Sequence, residues 1–244
     1  MIKLVENNKE AALVLEHLNI DIAPILASKM FTEGFGVKQD FLQFYAAFSD
    51  NGNLCGAFVK CNDRVFCLLE ELYDVEEIIL FLSGFNDFNI FIPYNFSYII
   101  DRKSFNTCCI MKKHNNFICN SDDSEEIDSK TFTDIIMSGK DKEASIRFLL
   151  NNSHLQRHGF LKNYAFYDNN NIVSIASVYS DRDKSYLCNV FTPINYRNQG
   201  YATKLINKVT ASSNEYHLIC SEEVSTLYIK CGFSVYSKWI EFLY

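Results

Sequence analysis

Val190 to Leu205 reads V-F-T-P-I-N-Y-R-N-Q-G-Y-A-T-K-L, a passage from a strand through a turn into a helix. The apolar end of Y-L-C-N-V-F gives way to Pro193 and Asn195, which punctuate the backbone. Arg197, Gly200 and Ala202 then open an amphipathic run continued by Leu205, Ile206 and Val209. A strand therefore feeds a helix N-terminus, where the first-turn N–H groups have no intrahelical partners and the helix dipole is positive. With Gly200 and the small Ala202 at that point, a phosphate can approach those donors closely, and the stretch predicts an anion cradle.

A second element, L-Y-I-K-C-G-F from Leu227 to Phe233, follows the cradle helix and one further strand. R-x-x-G-x-A after a strand ending V-F-T-P, combined with this element, resembles the acetyl-CoA-binding motif and last helix of the GNAT acyltransferases. In that family a pattern close to N-x-x-A-x-x-L-Y-x-x-x-G-F carries a tyrosine facing the cofactor sulfur. Ser221, Val224, Leu227, Tyr228, Gly232 and Phe233 fall on it, with Ser221 and Val224 departing from the usual residues. The resemblance covers about the last half of the chain. It implies an α/β (α+β) fold with a mixed, mostly antiparallel sheet flanked by helices, and acetyl-CoA as acyl donor.

At 244 residues, 48% hydrophobic and 15% aromatic, the chain can bury a sizeable core and suits one large or two small domains, of which two is the reading favoured here. A net charge of −7 argues against broad nucleic-acid binding, which depends on neutralising phosphates with many Lys and Arg. Nine Cys and no hydrophobic leader in Met1 to Val14 suggest reduced thiols and a cytoplasmic protein. The longest apolar run, Ile78 to Leu82, is too short to cross a bilayer, so no membrane partner is expected.

Residues 1 to 50 read as helices, with Ala11, Val14, Leu15 and Leu18 on one face and Phe41, Phe44, Tyr45 and Phe48 on another. Leu54 to Lys60 and Arg64 to Leu69 read as a hairpin turning at Asn62-Asp63. Asp74 and Glu77 cap a helix from Val75 to Leu82, which Gly84 can terminate. Asn89 to Ile92 and Tyr98 to Ile100 are short strand candidates. Ser121 to Lys130, with five acids, reads as an exposed connection and sets the domain boundary: a helper domain over 1–120, a linker over 121–130 and the GNAT-like domain over 131–244. Beyond it come a helix from Lys142 to Asn151, strands at Tyr164 to Tyr167, Ile172 to Tyr179 and Ser185 to Phe191 in an antiparallel meander, a strand from Tyr216 to Cys220, a helix from Glu222 to Lys230, and a closing strand or hairpin. The order of elements in the first half echoes the second, which points to a degenerate, duplicated GNAT-like unit. No cradle precedes Ser121, so that half is expected to bind no coenzyme and to shape the acceptor pocket or a subunit contact, a homodimer being one form of it.

By the resemblance, a backbone amide at Phe191 or Thr192 polarises the thioester carbonyl. The amides of Asn198, Gln199, Gly200, Tyr201, Ala202 and Thr203 hold the pyrophosphate, with Arg197 adding charge, and Ser221 stands where pantetheine or substrate is held. Tyr228 is the candidate acid that protonates the departing thiolate, a phenol being a suitable donor to a basic sulfur. Glu222, Glu223 and water are the local suggestions for a base, which stays unassigned. His154 and His158 stand at i, i+4 with no third ligand in sight, so no metal is expected. Cys55, Cys61 and Cys67, like Cys108-Cys109, form no C-x-x-C and read as buried thiols, while Cys231 stands beside the candidate acid. The reading is an N-acetyltransferase acting on an amine of a small molecule or peptide; the alternative is an inactive acyl-CoA-binding regulatory or interaction module.

Overall fold

Phe41 to Phe48 alternates in burial rather than following a helical stripe. In the computed structural model, which describes residues 1–18, 32, 35–37, 39, 41–71, 74–101, 103–114, 124–181, 184–211 and 215–243, Leu42–Phe48 is a strand, β2. Leu42, Phe44 and Ala46 are buried and Gln43 and Tyr45 half-buried. The aromatic spacing at i, i+3, i+4 and i+7 is thus overruled by the period of two that a sheet imposes, and aromatic residues favour a half-buried pleated surface.

The chain forms two compact units. The first comprises Met1–Met111, Ile219–Ser225 and Val235–Tyr244. Its strands are β1 (Ile2–Leu4), β2, β3 (Leu54–Cys61), β4 (Arg64–Leu69), β5 (Asn89–Pro93), β6 (Ser104–His114, whose last residues count with the second unit) and the strand Ser234–Phe242, β12. Their order is β1-β2-β3-β4-β5-β12-β6. The expected hairpin is β3–β4, turning at Asn62 with φ 55°. Helix α1 (Asn8–His17) buries Ala11, Val14 and Leu15, as its spacing predicts. Helix α2 (Val75–Ser83) starts at Asp74, whose carboxylate accepts the Glu77 N–H at 2.9 Å. Gly84 ends it in right-handed geometry, φ −72°, so no left-handed cap is used there. Ile78 and Leu82 of α2 pack on Phe58, Val65, Ile90 and Ile240. Tyr98 to Ile100 is not a strand: Tyr94–Ile99 is a 3-10 turn that buries Ile99.

The second unit comprises Lys112–Leu218 and Thr226–Ser234. Its order is β11-β10-β9-β8-β7, with β7 (Ser124–Ile127), β8 (Leu161–Asp168), β9 (Asn171–Asp181), β10 (Lys184–Phe191) and β11 (Glu215–Ser221, whose last residues count with the first unit). Residues 121–123 lie outside the described ones, but the rest of the acidic stretch is ordered rather than a bare connection. Its Glu125 and Glu126 lie exposed on β7, paired antiparallel with β8. Asp128 then caps helix α3 (Ser129–Ile136), accepting from the amides of Lys130 and Thr131. Helix α4 (Lys142–Arg157) runs past the expected end at Asn151 because Asn152 and Leu155 are buried. Helix α5 spans Tyr201–Val209 and helix α6 Ser225–Lys230.

Beneath α4 the polar side chains are satisfied by one another. Asn163 donates to Asn152 at 2.7 Å and accepts from Ser177 at 2.8 Å, and Gln156 donates to the Ile127 carbonyl at 2.9 Å. Asn152, Asn163 and Ser177 are all buried. Asn163→Leu would strand its two partners in a dry site, at about 1–3 kcal/mol for each orphaned group. A loss of about 3 kcal/mol in urea unfolding is expected, and a change inside 1 kcal/mol would deny the network this role.

Both halves of the chain follow one sequence of elements. In the first it is β1, α1, the meander β2-β3-β4, crossover helix α2, β5, a 3-10 turn and β6; in the second β7, α3 and α4, the meander β8-β9-β10, crossover helix α5, β11, α6 and β12. β4 and β5 pair in parallel from Arg64↔Asn89 to Phe66↔Phe91, and β10 and β11 from Lys184↔Glu215 to Tyr186↔His217. The closing strand β12 pairs with β5, from Trp239↔Pro93 to Phe242↔Ile90, which is why the end of the chain counts with the first unit rather than with residues 131–244.

Candidate functional site

The parallel ladder between β10 and β11 ends at Tyr186↔His217, although β10 runs on to Phe191. Over that stretch β10 stays paired with β9, through a bulge between Cys188 and Phe191 where Asn189 has φ 53°. A bulge re-aims the strand and sharpens its twist. Among the described residues, the ladder partners given for β10 beyond Tyr186 are on β9.

Phe191 and Thr192 end this strand. The carbonyl of Phe191 accepts from Ser174 at 3.3 Å, and the Thr192 hydroxyl lies 3.0 Å from the same Ser174 oxygen. Arg197 donates its Nε–H to the Thr192 carbonyl at 3.0 Å, which closes the turn and leaves the exposed end of the guanidinium for an anion. Asn198 takes φ 62° and Gly200 φ 82°, and Gln199 donates to the Asn195 carbonyl at 3.1 Å. Gly200 is the residue before α5, no side chain caps the helix, and a Cβ there would meet nothing within 4 Å. The first intrahelical bond runs from the Lys204 N–H to the Gly200 carbonyl at 3.0 Å, so the amides of Tyr201, Ala202 and Thr203 precede it. This helix start is open and carries no side-chain cap.

Two side chains that the sequence does not point to hold α5 in place. Asp168, at the end of β8, accepts the Tyr201 hydroxyl at 2.7 Å, a bond that raises the Tyr201 phenol above its ordinary pKa. Lys113 donates to the Thr210 hydroxyl at 2.9 Å, and burial lowers its ammonium pKa. Lys204 lies over the rings of Phe166 and Tyr201 at 5.8 and 5.5 Å.

Tyr228 lies half-buried on α6. The helix ends in a Schellman cap: the Phe233 N–H returns to the Tyr228 carbonyl and the Gly232 N–H to that of Ile229, both at 3.0 Å, with Gly232 at φ 87°. The cap sets the Phe233 ring edge-on to Tyr228, 6.0 Å between centroids. The G-F of L-Y-I-K-C-G-F is therefore the physical stop that orients the tyrosine. Cys231, in that cap, is buried and bonded to the Thr203 side chain, which joins the end of α6 to the first turn of α5. Burial raises its thiol pKa, a shift the Lys113 charge and the Thr203 bond only moderate.

Ser221 ends β11 without a side-chain cap bond. Glu222 is engaged with Lys238 at 2.5 Å, both about half exposed. The rings of His154 and His158 lie 4.5 Å apart between centroids, tilted by 46°, and among the described residues no group of three or more His, Cys, Asp and Glu is placed to hold a metal. The eight described Cys are free thiols, and burial pushes Cys61 up to about 11. In the first unit the turn matching the cradle is the reverse electrostatically. Glu70 and Glu71 precede α2, Asp74 occupies its N-terminus, and Glu76 and Glu77 fill its first turn.

Residues 125–233 match the model of the acetyltransferase (GNAT) family, and the C-terminal half thus carries a GNAT acetyltransferase domain. Solved GNAT structures share the fold over nearly the whole chain. A GNAT-family acetyltransferase from Colwellia psychrerythraea, 13% identical, aligns over 99% of this chain and 98% of its own with a TM-score of 0.62. A GCN5-related N-acetyltransferase from Sphaerobacter thermophilus, 10% identical, aligns over 99% and 94% with a TM-score of 0.67. A tandem GNAT protein from the clavulanic acid biosynthesis pathway, 8% identical, aligns over 99% and 97% with a TM-score of 0.58. At such identities the likeness is one of fold. No curated protein matches the sequence. No described helix is long and apolar enough to cross a membrane.

Proposed function

We propose that the protein is an acetyl-CoA-dependent N-acyltransferase that moves an acetyl group to an amine of a small molecule or peptide. The observation that carries the reading is the open, uncapped helix start at Gly200, which follows directly on the bulged end of β10. The pyrophosphate of the acyl donor would sit on the amides of residues 198–203 with Arg197 beside it. The acetyl carbonyl would meet an amide at the end of β10. A neutral amine would attack that carbonyl, the C–N bond forming as the C–S bond breaks; the Tyr228 hydroxyl would supply the proton to the leaving sulfur, and the proton lost by the attacking nitrogen would pass to water, from which the phenolate is reprotonated. Positioning and a preplaced donor supply the rate, a single oxyanion donor being worth about 3 kcal/mol.

The ion pair of Glu222 with Lys238 favours a second reading, in which the site binds acyl-CoA without turnover as a regulatory or interaction module, since it occupies one of the nearest candidates for a base. Free thiol released from acetyl-CoA across a panel of amines separates the two. Amine-dependent release is expected; bound CoA with no release from any amine would favour the module.

The first unit is proposed to shape the acceptor pocket or a subunit contact and to hold no coenzyme, because carboxylates crowd the α2 start where a phosphate would have to sit. Crystals grown with CoA should show the coenzyme at residues 197–203 alone, and density for it within residues 1–120 would reverse this assignment.

A further inference from the structure

We infer that Lys113 is a positioning residue for Tyr228: its side chain joins the end of α5 to the cap of α6 and so fixes where the tyrosine stands. The inference rests on the reading above, in which Tyr228 protonates the leaving sulfur. Lys113 lies near the end of β6 and ahead of residues 125–233, the span matched by the family model. Half-buried there, it touches both helices. Its Nζ donates to the Thr210 hydroxyl at 2.9 Å. Thr210 is the buried residue that ends α5, and it donates its own proton to the Ile206 carbonyl at 2.7 Å while its oxygen accepts from Lys113. A cation at this end of α5 also meets the negative pole of the helix dipole. Toward α6, the same Nζ lies over the Phe233 ring, 5.7 Å from its centroid. The stem passes Gly232, where an added Cβ would come within 3.6 Å of the Lys113 Cε. Gly232 and Phe233 belong to the Schellman cap, and the Phe233 ring stands edge-on to Tyr228. One chain of contacts therefore runs Thr210, Lys113, Phe233, Tyr228.

Packing alone does not require a charge at this position. Burial strips water from the ammonium and lowers its pKa, whereas a Met would follow the same path without that cost. What Lys113 adds over Met is a directed bond to one helix and a cation–π contact toward the other, and these fix an orientation rather than fill a volume. Helix α6 needs such contacts. With six residues it is too short to be stable on its own backbone bonds. The Cys231 bond to Thr203 ties it to the first turn of α5, and Lys113 ties its cap to Thr210, about two turns further on. One attachment would leave α6 able to pivot, and two set its direction. The Ser234 hydroxyl, donating to the Lys112 carbonyl at 3.3 Å, holds the strand that carries Lys113 beside the residue after the cap.

Two measurements on the full chain test the inference. In protein carrying isotope-labelled tyrosine, Lys113→Met should move the Tyr228 ring resonances through the loosened Phe233 ring, while those of Tyr196 and Tyr201 stay nearly constant. In kinetics, Lys113→Met should lower kcat by about tenfold with the KM for acetyl-CoA within about twofold, since the proton donor is misplaced and the helix start at Gly200 is untouched. In a Tyr228→Phe background it should lower kcat no further, because it acts through that hydroxyl. Unmoved Tyr228 resonances, an unchanged kcat in folded Lys113→Met protein, or an equal loss in both backgrounds overturns the proposal. Should Lys113→Met melt far below the unmutated protein, Thr210→Val, which removes the acceptor on α5, replaces it with the same expectations. If Tyr228→Phe alone leaves turnover intact, the acid reading falls and takes this inference with it. If no amine gives turnover, the enzyme reading falls, and the ring resonances decide whether Lys113 sets the place of Tyr228.

Discussion

Gly200→Asp is expected to abolish CoA binding and leave the fold standing. At φ 82° an L-residue is strained, by about 1–2 kcal/mol, although Asp is among the side chains that tolerate this region best. A Cβ there meets no protein atom within 4 Å, so the new side chain projects into the space where the phosphate would sit. A carboxylate about 4 Å from a phosphate oxygen costs about 4 kcal/mol at an effective dielectric near 20, which is close to a thousandfold in affinity. Gly200→Asn has the same shape without the charge and should lose much less. Titration calorimetry with CoA, beside a thermal melt of each variant, makes the comparison; unchanged affinity in Gly200→Asp would remove the pyrophosphate from this turn.

Tyr228→Phe should cut turnover by about 10²-fold or more while CoA affinity stays nearly constant. The Schellman cap and the edge-on packing against Phe233 use the backbone and the ring, and both survive the change. The change removes the phenolic hydroxyl, the proton donor of the proposed step. A tyrosine with a purely structural role would instead lose about 1 kcal/mol of stability and no activity. The acid role also predicts that the alkaline limb of the pH–rate profile moves or disappears in the variant. Equal rates and equal profiles would take Tyr228 off the reaction path.

The parts of this fold that sequence spacing exposed are those whose pattern is local. The meander β8-β9-β10, the strand-to-helix passage at Pro193 to Ala202 and the L-Y-I-K-C-G-F helix end each contain their own turn chemistry, and the structure places each where its residues put it. Strand β6 went unread because Cys108 to Met111 are all buried, which leaves a continuous apolar run with no alternation to betray a strand. β7 was hidden by its acids. It ends the strand order of its unit, where charge on an edge strand discourages unwanted pairing, so the composition that reads as a linker also suits an edge. In the candidate site, the open helix start could be read from its own residues, whereas its supports could not. Ser174 stands 17 residues from the carbonyl it holds, and Asp168 stands 33 from Tyr201. Nothing in a linear pattern announces a bond across strands at such separations.

The pairing of β12 with β5 has a consequence for how the chain acquires its structure. Asn89 bonds the Glu241 side chain 152 residues downstream, so the first unit is completed by residues that leave the ribosome long after the rest of it. Until then β5 offers an unpaired edge beside an apolar surface that includes Ile90 and Ile92, and pairing of such high sequence separation is slow to form. Nascent chains stalled before residue 234 should therefore resist release as soluble, protease-resistant halves, and a chaperone that shields strand edges should raise the yield of the full-length protein. Simple scission of the gene into two would give neither half a finished sheet, whereas co-expressed halves would have to find one another through that strand.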